Sequence, residues 1–149
     1  MGRRQRRAHA ARAAGFVDDH LDVLWTYLVG MTGDAAWAEG QVRTILGGVD
    51  PRLLEEETTA ARRLLLTRAR RAVEDAPSPA PKAYRIPGWL AAGVADLDPD
   101  AREAFVLLDA MDLAPDHAAA ACGVVETELQ ERRARAHDVV VAHLTGARP

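Results

Sequence analysis

Large apolar residues recur along this chain at three- and four-residue steps and rarely alternate with polar ones, the pattern of helices buried on one face. Phe16, His20/Leu21, Leu24, Leu28 and Met31 form one such stripe and predict a helix over about 16–31. Thr32-Gly33-Asp34 interrupts it, and Asp34 is suited to cap a second helix over roughly 35–46, with Ala38, Val42 and Ile45 inward. Gly47-Gly48 ends that helix. Asp50-Pro51 then offers a cap followed by proline at a first helical position, predicting a long third helix through Leu53, Leu54, Ala61, Leu65 and Ala69 to Val73.

The pattern then lapses. DAPSPAPKAYRIPG, residues 75–88, carries four prolines and reads as an extended linker. Beyond it, Trp89 to Val94 predicts a short helix, and Asp98-Pro99 opens another with Ala101, Phe105, Leu108 and Met111 inward. Pro115 starts a short alanine-rich helix ending at Cys122-Gly123. The last helix begins near Glu126 and runs to about Leu144, with Leu129, Ala136, Val140 and Leu144 facing in. The expected fold is all-α, in four stretches: a flexible basic arm (1–15), a helical bundle (16–76), a Pro-rich linker (77–88) and a second bundle (89–149). Whether the two bundles pack together is left open by the pattern.

Composition supports this picture. An apolar content of 48% is enough to bury a core, and abundant Ala and Arg with only 5% aromatic residues favour helix. The lone cysteine, Cys122, cannot form an internal disulfide and reads as a small buried hydrophobe, which fits a reducing, cytoplasmic setting. No apolar run approaches the roughly 20 residues of a membrane span, so no membrane partner is expected. The five histidines lack a spaced nucleophile, base or metal partner. Glu55-Glu56-Glu57 would fan out around a helix rather than converge on one ion. An enzyme is therefore not expected, and neither a cofactor nor a metal site.

Charge is uneven. Through Ala76 there are 12 basic and 11 acidic residues, and from Pro77 onward 7 basic and 11 acidic. The basic excess lies before Gly15, which leaves the body acidic, opposite in sign to a face that grips phosphates.

From Pro115 to Leu144, a short helix, a glycine and a longer helix bearing Arg132, Arg133 and Arg135 have the build of a helix-turn-helix. Three further stretches give this a context. LWTYLVGMTGDAAWAEGQV (24–42), RRLLLTRARRAVEDA (62–76) and LDPDAREAFVLLDAMDLAPDHAAAACGV (97–124) follow one another in order, with the Pro-rich stretch between the second and third. Together they resemble regions 2 and 4 of the extracytoplasmic-function (ECF) sigma factors over roughly 16–144. The resemblance implies binding to RNA polymerase core and promoter DNA. Gln130, Arg132, Arg133 and Arg135 would contact DNA, the basic arm would add phosphate contacts, and Glu39, Arg43 and Leu46 would meet polymerase or another protein.

The sequence departs from the family on those working surfaces. Gly40 and Arg43-Thr44 stand where an acidic residue and a glutamine-glutamate pair are usual, Asp50 replaces a tryptophan, and Leu64 an aromatic. Glu128, Gln130 and Glu131 replace a small residue, lysine and serine in the recognition helix. Glutamate near phosphate is repelled and costly to desolvate. Two readings follow: a sigma factor-like transcription regulator, or a degenerate sigma-like protein that binds an anti-sigma factor or other helical partner without reading DNA. Trp89, just past the linker, is a candidate exposed aromatic for a partner or inter-domain contact, while Trp25 and Trp37 belong to the core or its edge.

Overall fold

Every regular element among the described residues, 2–76 and 78–147 of the computed structural model, is helical, and no strand occurs among them. Pro77, at the head of the expected linker, and residues 1, 148 and 149 lie outside them. The α-helices are α1 (Arg3–Thr32), α2 (Ala35–Gly47), α3 (Thr58–Glu74), α4 (Gly88–Asp96), α5 (Pro99–Phe105), α6 (Pro115–Cys122) and α7 (Glu126–Thr145). Short 3₁₀ turns occupy Pro51–Glu55 and Pro81–Ala83, and a π-helical turn, Val106–Ala110, prolongs α5.

Local chemistry sets most boundaries. The Asp34 side chain accepts from Trp37 N at 2.9 Å, and the Asp98 side chain from Ala101 N at 2.9 Å, each satisfying an orphan donor at a helix start. Gly33 closes α1 in the left-handed conformation, with φ +68°. Asp50-Pro51 behaves differently from the pattern's prediction. It opens only the 3₁₀ turn, and α3 starts at Thr58, where the Glu57 carboxylate accepts from Thr59 N and Ala60 N. The first helix also begins well before Phe16. Ala and Arg carry α1 back through Gly15 to Arg3, so residues 3–15 are helical rather than a flexible arm.

Two helix faces differ from the stripe as read. Leu144, expected inward, is 58% exposed, because the inward position at that turn of α7 is taken by His143, which lies beside Gly93 and 2.8 Å from Asp96 of α4. Leu21 is also exposed and leaves the inward position to His20, which is buried. Of the remaining stripe residues, Leu24, Leu28 and Met31 are buried as read and Phe16 is half-buried.

The expected linker is held against the end of α1. Tyr84 donates to the Gly30 carbonyl oxygen at 3.0 Å, and Ala83 lies so near Gly33 that a Cβ there would meet the Ala83 methyl at 2.8 Å. The segments on either side of it share a core. Leu24, Leu28, Leu65 and Ala69 belong to the same buried cluster as Ala104, Leu107, Ala119, Cys122 and Leu129. A smaller cluster, Leu97, Ala101 and Ala136, joins α5 to α7.

Candidate interaction surfaces

The α6–α7 pair has helix-turn-helix geometry. Gly123 turns the chain with φ +70°, a conformation that suits glycine, and eight residues of α6 precede twenty of α7. Leu129, Ala136 and Val140 point α7 into the molecule, and this decides what its arginines can do.

Arg132 lies on the inner side of α7 and is only 8% exposed. Its Nη2 donates to Glu128 at 2.6 Å, and its Nη1 stands 3.3 Å from Asp100, a charge contact without hydrogen-bond alignment. Arg133 is held by Asp109 of the π-helical turn, with Nε 3.1 Å from both carboxylate oxygens and Nη2 2.6 Å from one. His137 completes that clamp, its Nε2 3.0 Å from Asp109 Oδ2. Burial opposes the charge on Asp109, but the bonds from Arg133 and His137 outweigh it and hold the carboxyl below its usual range. Of the four residues expected on DNA, Gln130 and Arg135 are exposed, Arg133 is half-buried and Arg132 is buried. Glu126, Glu128, Glu131 and Asp138 are exposed on the same helix. The outward face of α7 is acidic.

A second surface lies between α1 and α2. Leu21, Trp25 and Val42 line a groove of about 440 Å³, rimmed by Asp22, Glu39 and Arg43. Glu39 and Arg43, one turn apart, form an ion pair on the rim. The structure thus brings together two of the residues expected to meet a partner. It does not bring the third, because Leu46 is half-buried and packs on the main core. Leu21 and Trp25 were absent from the expected site. Their spacing of four on α1 was legible, but Leu21 shared one stripe position with His20.

The third feature is the seam between the two halves. Glu103 of α5, 4% exposed, accepts from Tyr27 Oη of α1 at 2.6 Å and pairs with Arg70 Nε of α3 at 3.2 Å. Arg70 also donates to the Cys122 carbonyl oxygen at 2.8 Å. Burial and the adjacent Glu103 raise the Tyr27 phenol, and burial, then Glu103, pushes the Cys122 thiol up to about 12. Cys122 is therefore an inert thiol in this setting. Arg102, beside Glu103, points the other way and donates to the carbonyls of Val94, Ala95 and Leu97, closing the end of α4. A cleft of about 640 Å³ opens beside these groups, between Met31, Val73 and Leu97.

His20 is 1% exposed, its Nδ1 has no partner, and its ring lies 4.5 Å from that of Phe16. Trp89 is 42% exposed at the start of α4. No group of His, Cys, Asp and Glu among the described residues is arranged to hold a metal ion. No helix among them is long and apolar enough to cross a membrane. Compared with known proteins, the chain matches no family model and no curated protein.

Proposed function

We propose that this chain is a sigma factor-like regulatory protein whose business is a protein partner, and that α7 does not read duplex DNA. The supporting observation is the charge on α7: Arg132 and Arg133 are committed to Asp100, Glu128 and Asp109, while Glu126, Glu131 and Asp138 also face solvent. A recognition helix needs free donors at base edges and cations at phosphates. Freeing Arg133 would break a bidentate, charge-assisted pair, and each exposed glutamate would repel the backbone it approached.

The partner surface on this reading is the α1–α2 groove. Leu21, Trp25 and Val42 supply an apolar floor, with Glu39 and Arg43 fixing orientation at its edge. Such a groove suits the apolar face of a helix presented by an anti-sigma factor or similar regulator. A promoter-directing role is the second reading, favoured by the exposure of both Gln130 and Arg135.

Selection from a pool of random duplexes, in parallel with RNA polymerase core capture, separates the two. The scaffold reading expects no enriched sequence. An enriched motif that disappears with Arg135→Ala would establish base reading by α7 and overturn the proposal. Leu21→Glu should abolish capture of a helical partner while leaving the far-ultraviolet spectrum unchanged, since Leu21 is 40% exposed.

A further inference from the structure

The first turns of α1 form a surface that neither α7 nor the groove involves. Residues 4–12 are exposed without exception, and Phe16 is the first large side chain of the helix to pack on the core. This stretch carries five arginines between Arg3 and Arg12 and no acidic residue. It contributes +5, whereas the remainder of the chain, with 14 basic and 22 acidic residues, contributes −8.

We infer that this helical extension is a sequence-independent binding site for the phosphate backbone of nucleic acid. Reach decides whether the acidic body cancels it. Arg4, Arg6 and Arg7 stand 5–8 residues before Arg12, where the body first reaches the helix, roughly 8–12 Å along a helix rising about 1.5 Å per residue. That is at or beyond the screening length of about 8 Å at physiological salt, so the body's charge is weakened at the arginines. Arg12, nearer the body, meets an acid there, with Nη1 3.4 Å from Glu55.

Geometry and composition choose among polyanions. At about 100° per residue Arg4, Arg6 and Arg7 fall within an arc of roughly 160°, one side of the helix, as contact with a line of phosphates requires. A helix that settles into a lipid interface needs Leu, Phe or Trp on its other face. Here the intervening residues are Ala8, Ala10, Ala11, Ala13 and Ala14, with Gln5 and His9. Those methyl groups offer no anchor to a bilayer and no hot spot to a protein. Electrostatic attraction to phosphate remains, and it needs no anchor. The site is independent of the partner groove, so either proposal can fail alone.

The test is fluorescence anisotropy of the full chain against two unrelated 20-base-pair duplexes over a salt series. Vesicles of phosphatidylcholine and phosphatidylserine, and polyglutamate, serve as competing polyanions. The expected result is similar affinity for both duplexes and a steep fall with salt. Arg4→Gln, Arg6→Gln and Arg7→Gln combined should flatten the log–log salt slope by about 3 and weaken binding roughly tenfold at low salt. Its melting temperature should stay unchanged, because these positions pack on nothing buried. Lysine at the same three positions should restore the slope. An unchanged slope in the glutamine variant, loss of binding through Arg135→Ala instead, or tighter binding to vesicles or polyglutamate than to duplex at equal charge would each overturn the assignment.

Discussion

Glu103 is the buried carboxylate through which α5 holds both α1 and α3. It holds Tyr27 and Arg70 at once, and removing it would leave a buried hydroxyl without its acceptor and Arg70 Nε without its carboxylate. Glu103→Ala is expected to lower stability by about 3 kcal/mol in urea denaturation, and Tyr27→Phe by about 1 kcal/mol, since the Arg70 pair survives the second change. Equal losses from both would show that Arg70 contributes little. His20 gives a pH dependence. Burial, then the charge on Arg62, lowers its pKa below the ordinary 6.5. The unfolded chain therefore takes up a proton near pH 6.5 that the folded chain refuses, and stability falls as pH drops below about 6.5. His20→Leu should remove that slope between about pH 7.5 and 5.5 and, with no orphaned ring nitrogen, should equal or exceed the natural protein in melting temperature at the acid end. The sequence placed His20 in the α1 stripe beside Leu21, but which of two adjacent residues turns inward depends on what lies opposite, here the α3 residues that include Arg62.

At the scale of single elements, two glycines of the same conformation separate strain from contact. Gly123 and Gly33 both have φ near +70°, but a Cβ at Gly123 meets nothing within 4 Å, whereas at Gly33 it meets the Ala83 methyl at 2.8 Å. Gly123→Ala should cost about 1 kcal/mol from backbone strain alone, and Gly33→Ala about 2–3 kcal/mol through strain and displacement of the 3₁₀ turn. Chemical denaturation of the two variants measures the difference, and matching losses would mean that the Pro81–Ala83 turn moves freely. Elements ending at such residues were legible in the sequence because capping is a local matter: Asp34, Asp98 and Gly123 each act within four residues. The start of α3 was not, since Asp50-Pro51 advertises a helix more strongly than Glu57, an unusual cap. The start of α1 was missed for another reason, as Ala and Arg make a helix without an apolar stripe to reveal it. For α7 the arginines were legible and their engagement was not. Asp100 and Asp109, which hold Arg132 and Arg133, lie 32 and 24 positions earlier, and only the fold brings them near.

Over the whole molecule, the proline-rich stretch divides the sequence more sharply than it divides the structure. Prolines at 79, 81 and 87 argue for an extended backbone, and the extended reading follows from them. What they cannot convey is that Tyr84 and Ala83 have a place against the end of α1, or that Leu107 and Leu129, each no more than 1% exposed, complete a core begun by Leu24, Leu28 and Leu65. Either half alone would expose its share of that cluster together with Glu103 or its partners, while keeping all its conformational entropy to lose. Separation would thus remove apolar burial from both halves and strand the ion pair in each. The whole chain is accordingly expected to unfold in one transition, with coincident curves for tryptophan fluorescence, reporting on Trp25, Trp37 and Trp89, and for helix content. A fragment covering 78–147 should have weak helicity and no cooperative melt, and adding the 2–76 fragment should recover both. A fragment 78–147 that folds and melts cooperatively by itself would mean that the small Leu97–Ala101–Ala136 cluster suffices, and that the shared core is a docking surface between two self-sufficient bundles.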